Sequence, residues 1–148
     1  EAVQVRPLSP NDSMSGRISP RETKKKNARL SPRETVPRSY MDEPPAFSFK
    51  HLQKSHCFSK CNAEEKRDFA ESIFKRKELS WSQLVQGARH GLGSEKITQG
   101  LKVEVPPEFS GVQLIAFRFS GKKPMIGFRE RDVFYVLWFD RNFTVYAH

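Results

Sequence analysis

Apolar and polar residues alternate along this chain in three different regimes. Over residues 1–46 no period is visible: Pro, Ser, Arg and Lys dominate, and Tyr40 is the one aromatic residue. From residue 47 the apolar positions become periodic. Phe47-Ser48-Phe49-Lys50-His51-Leu52 alternates apart from His51, which predicts a short strand. Asn62 followed three residues later by Glu65 forms a capping-box signal. Phe69, Ala70, Ile73 and Phe74 then lie on one stripe, which predicts a helix. Ser80 and Gln83 repeat the capping signal, and Trp81, Leu84, Val85 and Ala88 mark a second amphipathic helix. Gly91 or Gly93 is expected to end it.

The last third changes period. Residues 113–120 and 125–130 read as strands joined by a Gly121-Lys122-Lys123-Pro124 turn. The run 133–139 (VFYVLWF) is almost continuously apolar, as in an interior strand covered on both faces. A final strand is expected over 143–146. The order β-α-α-β-β-β-β with short turns predicts an α+β domain. Its two N-terminal helices would pack on one face of a small antiparallel meander sheet.

Composition separates a tail from this domain. Residues 1–46 hold seven of the ten prolines, whereas residues 47–148 hold all twelve Phe. Such a tail cannot bury enough apolar surface to offset its ordering entropy. The expected organisation is therefore a disordered Ser/Pro/Arg-rich tail over 1–46 and one α+β domain over 47–148. Within the tail, Ser-Pro-Arg-Glu-Thr occurs at 19–23 and again at 31–35. That echo fits either a low-complexity linker or a repeated docking motif.

The net charge is +9, which favours anionic partners. No apolar run is long enough to span a membrane, no signal-peptide core is visible, and two cysteines are too few for a disulfide scaffold. A cytoplasmic protein without membrane contact is expected. The chain holds no P-loop, G-x-G-x-x-G, H-E-x-x-H, G-x-S-x-G or EF-hand pattern, so these chemistries have no support.

Four features could carry chemistry. His51, His56, Cys57 and Cys61 are potential metal ligands, but their spacing does not match a zinc site. They read instead as ordinary strand-to-helix connection residues, and neither a metal nor a cofactor is expected. The loop Arg89-His90-Gly91-Leu92-Gly93-Ser94-Glu95-Lys96 gathers an imidazole, a carboxylate and an ammonium between flexible glycines. Arg118 sits inside an apolar strand, with Lys122 and Lys123 in the next turn and Arg129 in the next strand. Antiparallel pairing could bring Arg118 and Arg129 onto one face, where they would meet a phosphate or a carboxylate such as Glu95 or Glu130. Phe119 and Phe128 could stack RNA bases or belong to the core. Tyr146 or His148, at the chain end, could move a proton.

The strand order, with the stretch FRFSGKKPMIGFRERDVFYVLWFDRNFTVY, resembles the RelE/ParE group of small bacterial toxins; the loop RHGLGSEKI with the strand pair FRFSGKKPMIGFR also resembles a set of small uncharacterised bacterial proteins. The resemblance to the toxins covers about residues 47–148. It implies a metal-independent ribonuclease that cuts RNA, including ribosome-associated mRNA, under control of an inhibitory protein partner. His90, Arg118, Arg129, Lys96 and His148 are then the candidate catalytic residues. Lys122, Lys123, Arg89, Phe119 and Phe128 are the candidate RNA-binding residues. A binding module without catalysis, with the tail docking a second partner, is the other reading.

Overall fold

Both capping boxes form, and each starts a helix at its expected place. In the computed structural model, which describes residues 39–89 and 91–147, Asn62 caps α1 (Ala63–Arg76) and Ser80 caps α2 (Trp81–Gln86). At each, the cap side chain accepts the N3 amide while the N3 side chain accepts the cap amide. The strands are β1 (Ala46–Ser48), β2 (Glu95–Lys96), β3 (Leu114–Ser120), β4 (Lys123–Glu130) and β5 (Val133–Phe139). The fold class is α+β.

The sheet is mixed rather than an antiparallel meander. Its order is β1-β5-β4-β3-β2. The β2-β3-β4-β5 neighbours are antiparallel, but β1 pairs parallel with β5, Phe47 facing Phe134. The apolar β5 needs neighbours on both edges. β4 fills one, and β1, separated from β5 in the chain by both helices and three strands, fills the other. Ala46 and the Trp81 indole both donate to the Asp132 carbonyl, at 3.0 and 2.8 Å, and lock that edge. The helices also follow β1 rather than stand N-terminal to the sheet.

Other boundaries shift for local reasons. β1 ends at Ser48, and Phe49 leaves the ladder to ring-stack with Phe58 at 6.0 Å. Residues 143–146 form no strand. The buried Asp140 carboxylate accepts the Thr144 and Val145 amides at 2.8 and 3.0 Å, so those amides are unavailable to a ladder. Phe143 stands at φ +57°, and Tyr146 makes only a single bridge to Leu101. The place beside β5 is taken by β1, and an unexpected short strand, β2, pairs with β3 through Glu95 and Lys96 at the opposite edge. Residues before 47 also belong to the fold: Met41 packs against the core, and the Trp81 amide bonds Glu43 O at 3.0 Å. Residues 1–38, His90 and His148 lie outside the described residues, and with them most of the expected tail.

Both faces of the sheet are covered. The helices close over Ile115, Phe117, Phe119, Met125, Phe134, Val136 and Phe139. The long segment after β2 and the C-terminal residues close the other face over Leu114, Ala116, Ile126, Phe128, Leu137 and Trp138. Phe117 and Phe134 meet edge to face at 5.0 Å. Each such buried ring contributes roughly 1.5–3 kcal/mol by area, plus about 0.5–1.5 kcal/mol for the ring pair. Gly127 sits at the β4–β5 irregularity, where a Cβ would overlap the Tyr135 carbonyl.

α1 buries a different face from its apolar stripe. Phe69 and Ile73 reach the core, but Phe74 is 68% exposed, and Glu65, Ser72 and Arg76 are buried. Glu65 meets Arg141 Nε at 2.6 Å and Lys123 Nζ at 3.0 Å. Burial alone would raise the Glu65 carboxyl. The Asn62 amide and the two cations outweigh it and hold the carboxyl below its ordinary value. A depressed folded pKa adds stability above the unfolded value, and that stability is lost as the pH falls through the folded one. Acid unfolding is thus expected to set in below about pH 4 and to become shallower in Glu65→Gln. Because Lys123 and Arg141 keep 35% and 30% of their side-chain surface in water, Glu65→Ala should cost the low end of roughly 3–5 kcal/mol. Urea melts at pH 7 and at about pH 3 measure both effects.

Candidate functional site

Alternation along β3 decides which cations meet. Ala116 pairs with Glu95, and Arg118, two residues on, faces the same side of the sheet. On that side Arg89, Lys102, Arg118 and Lys122 line a cleft of about 620 Å³ together with Glu95, Phe143, Tyr146 and Ala147. Arg129 pairs with Phe134 and faces the opposite, helix-covered side. Lys96 pairs with Ile115 and is also on that side. The expected shared face for Arg118 and Arg129 therefore does not form: β4 presents its even positions where β3 presents Arg118, whose partner is Pro124.

Three further expected site residues are structural. Lys123 is held by Glu65. Phe119 is 2% exposed and meets Phe139 edge to face at 5.1 Å. Phe128 is 6% exposed and stacks on Tyr135 at 5.1 Å. Neither ring offers a face to a base. His90 and His148 lie outside the described residues, although their sequence neighbours Arg89 and Ala147 line the cleft. Of the expected set, the structure thus brings Arg89, Arg118 and Lys122 together.

Two glycines of the loop carrying Arg89, Gly87 and Gly93, pack against each other. α2 stops at Gly87 rather than at Gly91 or Gly93. A Cβ on Gly93 would collide with the Gly87 carbonyl, so the two backbones touch. One buried cation then ties the loop to the sheet. Arg76 donates from Nε to Leu92 O at 3.0 Å, from Nη2 to Arg118 O at 3.0 Å and from Nη1 to Ser72 O at 3.5 Å. Its guanidinium lies over the Phe117 ring, 4.8 Å from the centroid. Burial pulls it down to about 10, so it remains charged at neutral pH.

Glu95 is the cleft's carboxylate, and it is engaged with residues other than Arg118. Arg89 Nη1 donates to it at 2.7 Å and the Tyr146 hydroxyl at 3.3 Å. Burial, then the Glu95 charge, pushes the Tyr146 phenol up to about 12. At neutral pH Tyr146 is therefore a hydrogen-bond donor and not a base. Arg118 and Lys122 meet no carboxylate among the described residues. The cleft presents a positive field, with the Tyr146 phenol donating to Glu95 and Phe143 at 38% exposure.

Lys102 and Phe143 escaped sequence reasoning because each lies in a segment without periodicity. Arg76 escaped because a charged residue in a helix is by default assigned to solvent. Among the described residues, no group of three or more His, Cys, Asp or Glu could hold a metal ion. His51 instead packs against Phe109 at 4.6 Å, His56 bonds the Thr144 hydroxyl at 3.0 Å, and Cys61 is in the core. No helix among the described residues is long and apolar enough to cross a membrane. No family model, curated protein or solved structure matches this chain.

Arg76→Met keeps length and apolar bulk but leaves the Leu92 and Arg118 carbonyls without their donor. Each buried unsatisfied group costs about 1–3 kcal/mol, so a loss of about 3 kcal/mol in urea unfolding is expected. Amide hydrogen exchange should rise in residues 87–94 before it rises in β4. Equal protection in both proteins would show that Arg76 does not hold the loop.

Proposed function

We propose that this protein binds single-stranded RNA through the cleft, as a binding module. The observation that carries the reading is the convergence of Arg89, Lys102, Arg118 and Lys122 around one carboxylate that Arg89 already partly neutralises. Cations supplied from separate elements suit a polymer of phosphates better than a single small anion. Phe143, 38% exposed, lines the same cleft and adds apolar surface beside the cations. A flexible single strand can follow such a cleft more closely than a stiff duplex. A cytoplasmic setting, with both free thiols reduced, belongs to the same reading.

A second reading, the RelE-like ribonuclease held by an inhibitory partner, is favoured by one observation: the cleft is lined by the direct sequence neighbours of His90 and His148. In it, Arg118 and Lys122 would stabilise charge on the scissile phosphate, and the two histidines would carry the protons. Tyr146 would donate rather than abstract. Arg129 and Lys96, on the other side of the sheet, have no part in it.

Anisotropy of a labelled oligouridylate tests both readings. Binding should weaken with salt with a log–log slope of roughly −3, as four phosphate contacts on a single strand require. Arg118→Glu and Lys122→Glu should each weaken it about tenfold or more, a difference of ~1.4 kcal/mol, while Arg129→Glu should change it little. Insensitivity to the first two variants would exclude the cleft. Strand scission by the wild type that is lost in His90→Ala, with binding retained, would favour the enzyme over the module.

A further inference from the structure

Across the sheet from the cleft lies a second depression of comparable size, about 580 Å³. Met41, Trp81, Val85, Lys96, Ile115 and Arg129 give it its character. Trp81 and Ile115 form a buried apolar floor, and Val85 stands 45% exposed on its wall. Lys96 on β2 and Arg129 on β4 are both exposed at its rim. The Arg129 guanidinium lies 5.3 Å from the centre of the Trp81 ring, and its Nη1 is 2.7 Å from Met41 Sδ. A ring face and a thioether orient a guanidinium without cancelling its charge. Among the described residues, no acidic side chain lines this groove.

We infer that this groove docks an acidic, amphipathic peptide segment of a partner protein. A carboxylate of the segment bonds the fork of Arg129, with Lys96 beside it. A neighbouring bulky apolar side chain of the segment covers Val85 and the Trp81–Ile115 floor. The charge argues for that occupant. A second copy of this chain would bring another +9 towards two unneutralised cations. A nucleic acid would find no open ring, because the one aromatic side chain of the groove is buried under Arg129. It would also find two cations here against four in the cleft. The inference stands apart from the RNA reading, since the two sites occupy opposite faces of the sheet.

The test uses the full chain and three short fluorescein-labelled peptides, alternating Glu with Leu, Glu with Ser, and Lys with Leu. The Glu/Leu peptide should bind at least tenfold more tightly than the other two. Arg129→Gln should weaken it about tenfold, as loss of one charge-assisted contact does. Val85→Glu, at an exposed position that leaves the core intact, should weaken it as strongly, and circular dichroism verifies both folds. Two results would overturn the inference: equal binding of the Glu/Ser peptide, or Glu/Leu binding unchanged in both variants. A third would be loss of oligouridylate affinity in Arg129→Gln with peptide affinity intact, which would make this face the nucleic-acid site.

Discussion

The guanidinium of Arg76 is the charge around which this fold is arranged. It is fully buried, and among the described residues no carboxylate pairs with it. Burying a lone charge is unfavourable by several kcal/mol, so donors on all three nitrogens must be used. They are used on carbonyls from α1, from the loop after α2 and from β3, with the Phe117 ring closing one side. A Lys would reach fewer acceptors and lack the planar fork. The consequence for the site is direct. Leu92 O and Arg118 O answer to the same cation, so the loop that carries Arg89 and the strand that carries Arg118 keep a fixed relation.

Glu65 does the complementary work at the other end of the same helix. It closes the capping box, then accepts Lys123 from β4 and Arg141 from beyond β5. Two charged residues thus pin α1 to the sheet at both ends, while Phe69 and Ile73 supply apolar contact between them. The sheet, anchored in this way, acts as a divider. Alternation along β3 and β4 sends Arg118 to one side and Arg129 to the other. One basic set becomes two separate surfaces of different chemistry: a polar cleft with four cations, and an apolar groove with two.

Elements whose signals are local were legible from the residues. The two capping boxes placed both helix starts, and the apolar run of β5 gave its bounds and its two-sided burial. What failed was set by distant partners. The parallel pairing of β1 depends on which edge of β5 is left open. The absence of a strand at 143–146 depends on a carboxylate of Asp140 competing for its amides. The loop glycines suggested close approach of a ligand, yet Gly93 serves contact with Gly87. Within the site, Arg89, Arg118 and Lys122 could be chosen by charge alone. Separating them from Lys123 and Arg129 required the register, because a one-residue change of position moves a side chain to the other face. Lys102 and Phe143 sit in irregular segments that carry no period to interpret.

The central claim is that the cations of one sheet face, and not those of the other, form the anion site. Chemical-shift mapping of the full chain on titration with an unlabelled oligouridylate tests it most directly. The account predicts the largest shifts at Arg89, Lys102, Arg118, Lys122 and Phe143, with Lys96 and Arg129 unmoved. Shifts centred on Lys96 and Arg129, or spread evenly over all exposed Lys and Arg residues, would contradict it.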